Sequence, residues 1–142
     1  MRTILFPLFL LFTIALTSQE SSSGLKEALM NDDAKSFKNF VNADNIDTCY
    51  EMGNSSYSLI HLTIKFNSES CFKELVSMKA NLNVTCSGKT PLMYAAKYGR
   101  LEMAKILVSN KADVNFSYKG RSAKDYAIRY QKDDIFQFLN NL

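Results

Sequence analysis

The chain repeats itself. Four segments of 17 residues align without gaps, Leu25–Val41, Ile60–Val76, Leu92–Val108 and Lys124–Asn140, at offsets of 35, 32 and 32 residues. Self-similarity at such a period predicts a stack of like units rather than one closed core. Each segment reads as two short helices with a break near the middle. In the third, Leu92–Tyr98 and Leu101–Ser109 are the helices and Gly99-Arg100 is the break. Glycine suits a helix end that needs left-handed backbone. The other breaks hold Asp32-Asp33, Asn67-Ser68 and Gln131-Lys132, and Asn and Asp tolerate that geometry. Apolar residues recur in register in the second helices: Met103, Ala104, Ile106, Leu107 and Val108 match Cys71, Phe72, Leu75 and Val76, then Ile135, Phe136, Phe138 and Leu139. A lone helix pair cannot bury that face, but a stack can. The expectation is an all-α solenoid of about four helix-pair repeats, with segments of 18, 15 and 15 residues between the pairs.

The third unit carries a recognisable signature. Gly88-Lys89-Thr90-Pro91-Leu92-Met93-Tyr94-Ala95-Ala96-Lys97-Tyr98-Gly99-Arg100-Leu101-Glu102, continued by Ala112-Asp113-Val114-Asn115, resembles the ankyrin repeat. Its chemistry is consistent: Thr90 caps a helix, and Pro91 sits at the first position, where its missing N–H is not needed. The second unit departs from the pattern, with Ser58 for Thr, Leu59 for Pro and Asn67 for Gly. It keeps His61 and ends in Ala80-Asn81-Leu82-Asn83. The fourth keeps Gly120 and Ser122 but has Ala123 for Pro, and the first looks like an N-terminal cap. The resemblance spans residues 24–142 and implies extended fingers projecting at right angles to the helices. It also implies a concave groove in which partners usually bind.

Ahead of the repeats, Arg2 is followed by an apolar run from Ile4 to Leu16 and by small residues at Ala15, Thr17 and Ser18. A membrane span needs roughly 20 apolar residues, so residues 1–18 read as a cleaved signal peptide and residues 19–142 as the mature domain. No later segment is expected to span a membrane, and the protein is expected to be periplasmic or secreted. Loss of Arg2 leaves sixteen bases against fourteen acids. The charge is uneven, −4 over Gln19–Tyr57 and +6 over Ser58–Leu142.

Little in the chain points to catalysis. His61 is the sole histidine, and no Ser or Cys is arranged around it as a nucleophile–base set. The resemblance gives it a structural role near a helix start. With no CxxC, a zinc site is not expected, and neither is any cofactor. Cys71 falls at an apolar second-helix position and reads as a buried thiol. Cys49 and Cys86 both lie in finger segments and are the disulfide candidates. Against pairing, packed helices stand roughly 8–10 Å apart, whereas a disulfide needs Cα atoms within about 7 Å. Asn54-Ser55-Ser56, Asn83-Val84-Thr85 and Asn115-Phe116-Ser117 match the N-glycosylation pattern, which also arises by chance.

Alignment brings out one further pattern. Lys65-Phe66, Lys97-Tyr98 and Arg129-Tyr130 fall in register as the last two positions before each break. The resemblance places these on the groove side. The fingers add Tyr57, Lys89, Tyr118, Lys119 and Arg121. Aromatics and arginine are what binding hot spots use. The bland reading is that Phe66, Tyr98 and Tyr130 pack between repeats. The function expected is binding of another protein with an acidic surface. Nucleic acid is not expected, given the export signal and the small net charge. Two sharper forms stay open: an immunity or inhibitor protein that neutralises a toxin enzyme in the periplasm, and a secreted host-directed effector.

Overall fold

The computed structural model describes residues 22–142, so segment 1–18, expected from the sequence to be a signal peptide, lies outside the described residues. Eight helices are present among the described residues: α1 (22–30), α2 (Ala34–Lys38), α3 (Leu59–Phe66), α4 (Glu69–Ser77), α5 (Pro91–Tyr98), α6 (Leu101–Ser109), α7 (Ala123–Arg129) and α8 (Asp133–Asn140). Two antiparallel hairpins sit in the fingers, β1 (Tyr50–Met52) with β2 (Ser55–Tyr57), and β3 (Ser117–Tyr118) with β4 (Arg121–Ser122). These small sheets lie within the segments expected to form the extended fingers.

Local chemistry sets the helix ends. The Thr90 hydroxyl accepts from the Met93 N–H at 3.3 Å, with Pro91 next in line. Ser122 and Asp125 form a reciprocal capping box at α7. Every break turns through left-handed backbone: φ is 52° at Asp32, 61° at Asn67, 71° at Gly99 and 55° at Gln131. Tyr130 lies one residue past α7, as its C-cap, rather than within it.

The inner helices α3, α5 and α7 pack side by side, and each packs on its own outer helix α4, α6 or α8. Ala95, Ala96 and Ala127 are fully buried and let the inner helices approach closely. Phe72, Leu75, Met103, Leu107 and Ile135 fill the space beneath the outer helices. Ile128 is the equivalent of buried Ile64 and Ala96, yet it is 58% exposed because α7 is the last inner helix described.

Polar groups stitch successive units together. The Asp32 carboxylate caps α4, accepting from the N–H groups of Ser70 at 2.8 Å and Cys71 at 3.0 Å. Arg100 Nε donates to the Ile64 carbonyl at the end of α3. Along the fingers, Asp47 accepts from the Asn81 N–H, and Asn83 accepts from the Asp113 N–H, each at 2.8 Å. No buried side-chain nitrogen or oxygen among the described residues lacks a partner.

Candidate functional site

The recurring base–aromatic pairs sit at the C-terminal ends of the inner helices. Lys65 extends its Nζ over the Tyr57 ring, 4.4 Å from the centroid. Tyr57 meets Tyr94 edge-on at 5.6 Å, and Tyr94 stacks on Tyr98 at 6.0 Å. The Lys97 ammonium is 5.1 Å from the Tyr98 ring centre and 5.5 Å from that of Tyr130, so one cation joins two units. Tyr130 in turn stacks on Tyr126 at 6.2 Å, with the rings 5° from parallel. The result is a continuous ladder of rings and cations across α3, α5 and α7.

The ladder follows from helix geometry. Residues four apart share a helix face, which puts Tyr94 under Tyr98 and Tyr126 under Tyr130. Tyr94 and Tyr126 were not among the residues singled out from the sequence. Both are buried, and the i−4 spacing was the available signal. Tyr57 is only 9% exposed, so it supports Lys65 from below and offers a partner little surface. Tyr98 is half-buried, while Phe66 and Tyr130 are exposed.

The remaining candidates are placed elsewhere or differently. Tyr118 lies flat against Gly88: a Cβ added there would meet the ring at 2.3 Å. Tyr118 is therefore a packing residue between fingers. Lys119 Nζ sits 5.3 Å from that ring, and Arg121 faces Tyr118 across β3–β4. The Lys89 ammonium reaches the Ser87 carbonyl at 3.5 Å. Arg129 is exposed in the last turn of α7.

Charge is segregated over the surface. The three ion pairs among the described residues, Lys38–Glu74, Lys73–Glu69 and Lys105–Glu102, all lie on the outer helices α2, α4 and α6. None involves Lys65, Lys97 or Arg129. Burial pushes the Tyr57 phenol up, but the Lys65 charge and hydrogen bonding from Lys65, Ser55 and Tyr94 together hold it below its ordinary value. Burial, with Tyr57 beside it, holds the Tyr94 phenol well above. Two cavities of about 260 and 280 Å³ open at helix breaks, and neither is lined by a ladder residue.

His61 is fully buried and fully engaged. Its Nδ1 takes the Ser58 hydroxyl at 2.8 Å, and its Nε2 lies 3.0 Å from the Lys89 carbonyl. A carbonyl only accepts, so Nε2 carries the proton and Nδ1 is the acceptor. Burial lowers the ring pKa to about 4. Burial, with Asp32 beside it, raises the Cys71 thiol to about 12, which keeps it protonated. Cys49 and Cys86 form a disulfide with Cα atoms 5.7 Å apart. The two fingers approach more closely here than packed helices do, which is what permits the bridge. Among the described residues there is no group of three or more His, Cys, Asp or Glu that could hold a metal, and no helix is long and apolar enough to cross a membrane.

The family model for ankyrin repeats (3 copies) matches residues 25–118 and 60–141. No curated protein matches the chain.

Proposed function

We propose, since this chain belongs to the ankyrin-repeat family, that it is a four-repeat protein-binding module acting outside the cytoplasm, engaging an acidic partner through the ladder on its inner helices. The family carries the coarser statement: ankyrin repeats bind proteins and are typically not enzymes. The acidic partner rests on one observation. The cations of the ladder lie on aromatic rings, whereas the ion-paired cations all lie on outer helices. A lysine held on a ring face is preorganised and still has free donors for an incoming carboxylate. Action outside the cytoplasm draws support from the apolar run Ile4–Leu16 and from the Cys49–Cys86 bridge, since disulfides persist in oxidising compartments.

The test captures the native partner with mature protein and compares two variants. Tyr98→Ala removes the central ring and should weaken binding by more than about 2 kcal/mol, the usual hot-spot threshold. Lys105→Ala changes an exposed outer-helix residue and should leave binding alone. Equal affinities for the two, with both folded by circular dichroism, would show that the ladder is not the working surface. The captured partner also separates the sharper readings: a toxin enzyme inhibited on binding supports an immunity protein, and a host protein supports an effector.

A further inference from the structure

The acidic-partner reading leaves the shape of the partner open, and the ladder's spacing bears on it. Each inner helix contributes one base at the same repeat position: Lys65 on α3, Lys97 on α5 and Arg129 on α7. Helices packed side by side stand roughly 8–10 Å apart. An aromatic ring fills the interval between the second and third bases, because Lys97 lies between Tyr98 of its own repeat and Tyr130 of the next, while Lys65 sits on the Tyr57 ring. The row therefore presents a base at a period of one repeat, with aromatic rings beside Lys65 and Lys97.

Resting on that reading, we infer that the ladder receives an acidic segment in the polyproline II conformation with a carboxylate at every third residue. This helix has three residues per turn and rises about 3.1 Å per residue, so side chains three apart share a face and lie roughly 9 Å apart. That interval matches the helix-to-helix spacing. A β-strand does not match: it alternates faces, so its same-face side chains fall about 6.7 or 13 Å apart. An α-helix with an acid at every seventh residue meets the spacing, since seven residues rise about 10.5 Å. It lays a cylinder about 10–12 Å wide on the row and touches the rings along a narrow ridge. A polyproline II segment puts its flat faces against exposed rings, which is how aromatic-lined grooves take such segments, and it is already extended before binding. Phe66 and Tyr130, the most exposed rings of the row, stand at its two ends and extend this apolar track.

The experiment uses mature protein with its disulfide intact and measures affinity for four fluorescent peptides of equal length. One repeats Glu-Pro-Pro. The second has the same composition with the glutamates clustered at one end. The third is alanine-rich and helical, with glutamate at every seventh position. The fourth repeats Gln-Pro-Pro. The first should bind at least about tenfold more tightly than each of the others. Lys97→Ala should erase that advantage and bring the first peptide down to the clustered one. Lys105→Ala should preserve it. Equal binding of the first and second peptides, both above the glutamine control, would overturn the spacing while leaving the acidic-partner reading intact. Preference for the helical peptide would overturn the polyproline geometry alone. Binding of no acidic peptide above the control would overturn both the spacing and the acidic-partner reading.

Discussion

The buried ring of His61 in one repeat donates from Nε2 to the carbonyl of Lys89, at the start of the next, at 3.0 Å. The link spans 28 residues of chain, and the full set of contacts needs a neutral ring, because Nδ1 must stay unprotonated to accept from Ser58. The ring's pKa falls from 6.5 to about 4 on folding. Between those values the unfolded chain binds a proton that the folded chain does not. Stability therefore drops as pH falls through this window, by up to about 3 kcal/mol at its acid end. Urea midpoints measured from pH 7 down to pH 4.5 should fall for the natural chain and stay nearly flat for His61→Gln. A natural chain with a flat profile would mean that the ring is not held as described. The carboxyls of Asp32 and Asp125 are also held below 3.8, so their contributions are lost only in stronger acid.

Much of this architecture is legible in sequence because it depends on local chemistry. Thr90-Pro91 starts a helix and Gly99 ends it, whatever lies around them. The repeat offsets give the register of the stacked helices. The ladder is legible only in part. Lys97 and Tyr98 stand out by recurrence, but Tyr94 and Tyr126 do not, because one sequence does not show that a buried ring carries a more exposed one. Tyr57 and Tyr118 read as exposed finger aromatics. Tyr57 is instead folded beneath Lys65, and Tyr118 lies on the backbone of Gly88. Those positions depend on contacts between fingers, where chain separation hides the pairing. The finger hairpins are likewise tertiary products, each only two or three residues long per strand.

The Cys49–Cys86 bridge ties two fingers separated by 37 residues. Denatured, unreduced protein should therefore show one free thiol per chain, and mapping should place it at Cys71. Three free thiols would exclude the bridge. Closing a loop of that length removes unfolded-state entropy worth about 4 kcal/mol. The Cys49→Ser, Cys86→Ser double variant should lose stability of that order, read from denaturant midpoints.

Gly88 adopts φ of +73°, and any Cβ there would strike the Tyr118 ring. Gly88→Ala combines left-handed strain with displacement of that ring. It should cost about 1–3 kcal/mol. Gly53 has a similar φ of +67° with nothing within 4 Å of where a Cβ would stand, so Gly53→Ala isolates the backbone contribution. The difference between the two variants measures the Tyr118 contact. Equal losses would mean that the ring does not rest on Gly88.

The last prediction concerns the pair that anchors one end of the ladder. Two opposed influences act on the Tyr57 phenol. Burial favours the neutral form, while the Lys65 ammonium and nearby hydrogen bonds favour the phenolate, and together the second group prevails. Lys65→Met keeps the length and apolar stem of the side chain but removes the charge. Burial then acts with less opposition, and the phenol should titrate higher than in the natural chain. Ultraviolet absorbance follows phenol ionisation directly. The natural chain should show an early component, below the ordinary 10.0, that disappears in Lys65→Met and in Tyr57→Phe. Lys105→Met should leave it in place, because that residue pairs with Glu102 on an outer helix. An early component that survives Lys65→Met would mean that the ammonium does not sit on the ring. The ladder would then begin at Tyr94, with Lys97 as the cation that sits on its rings.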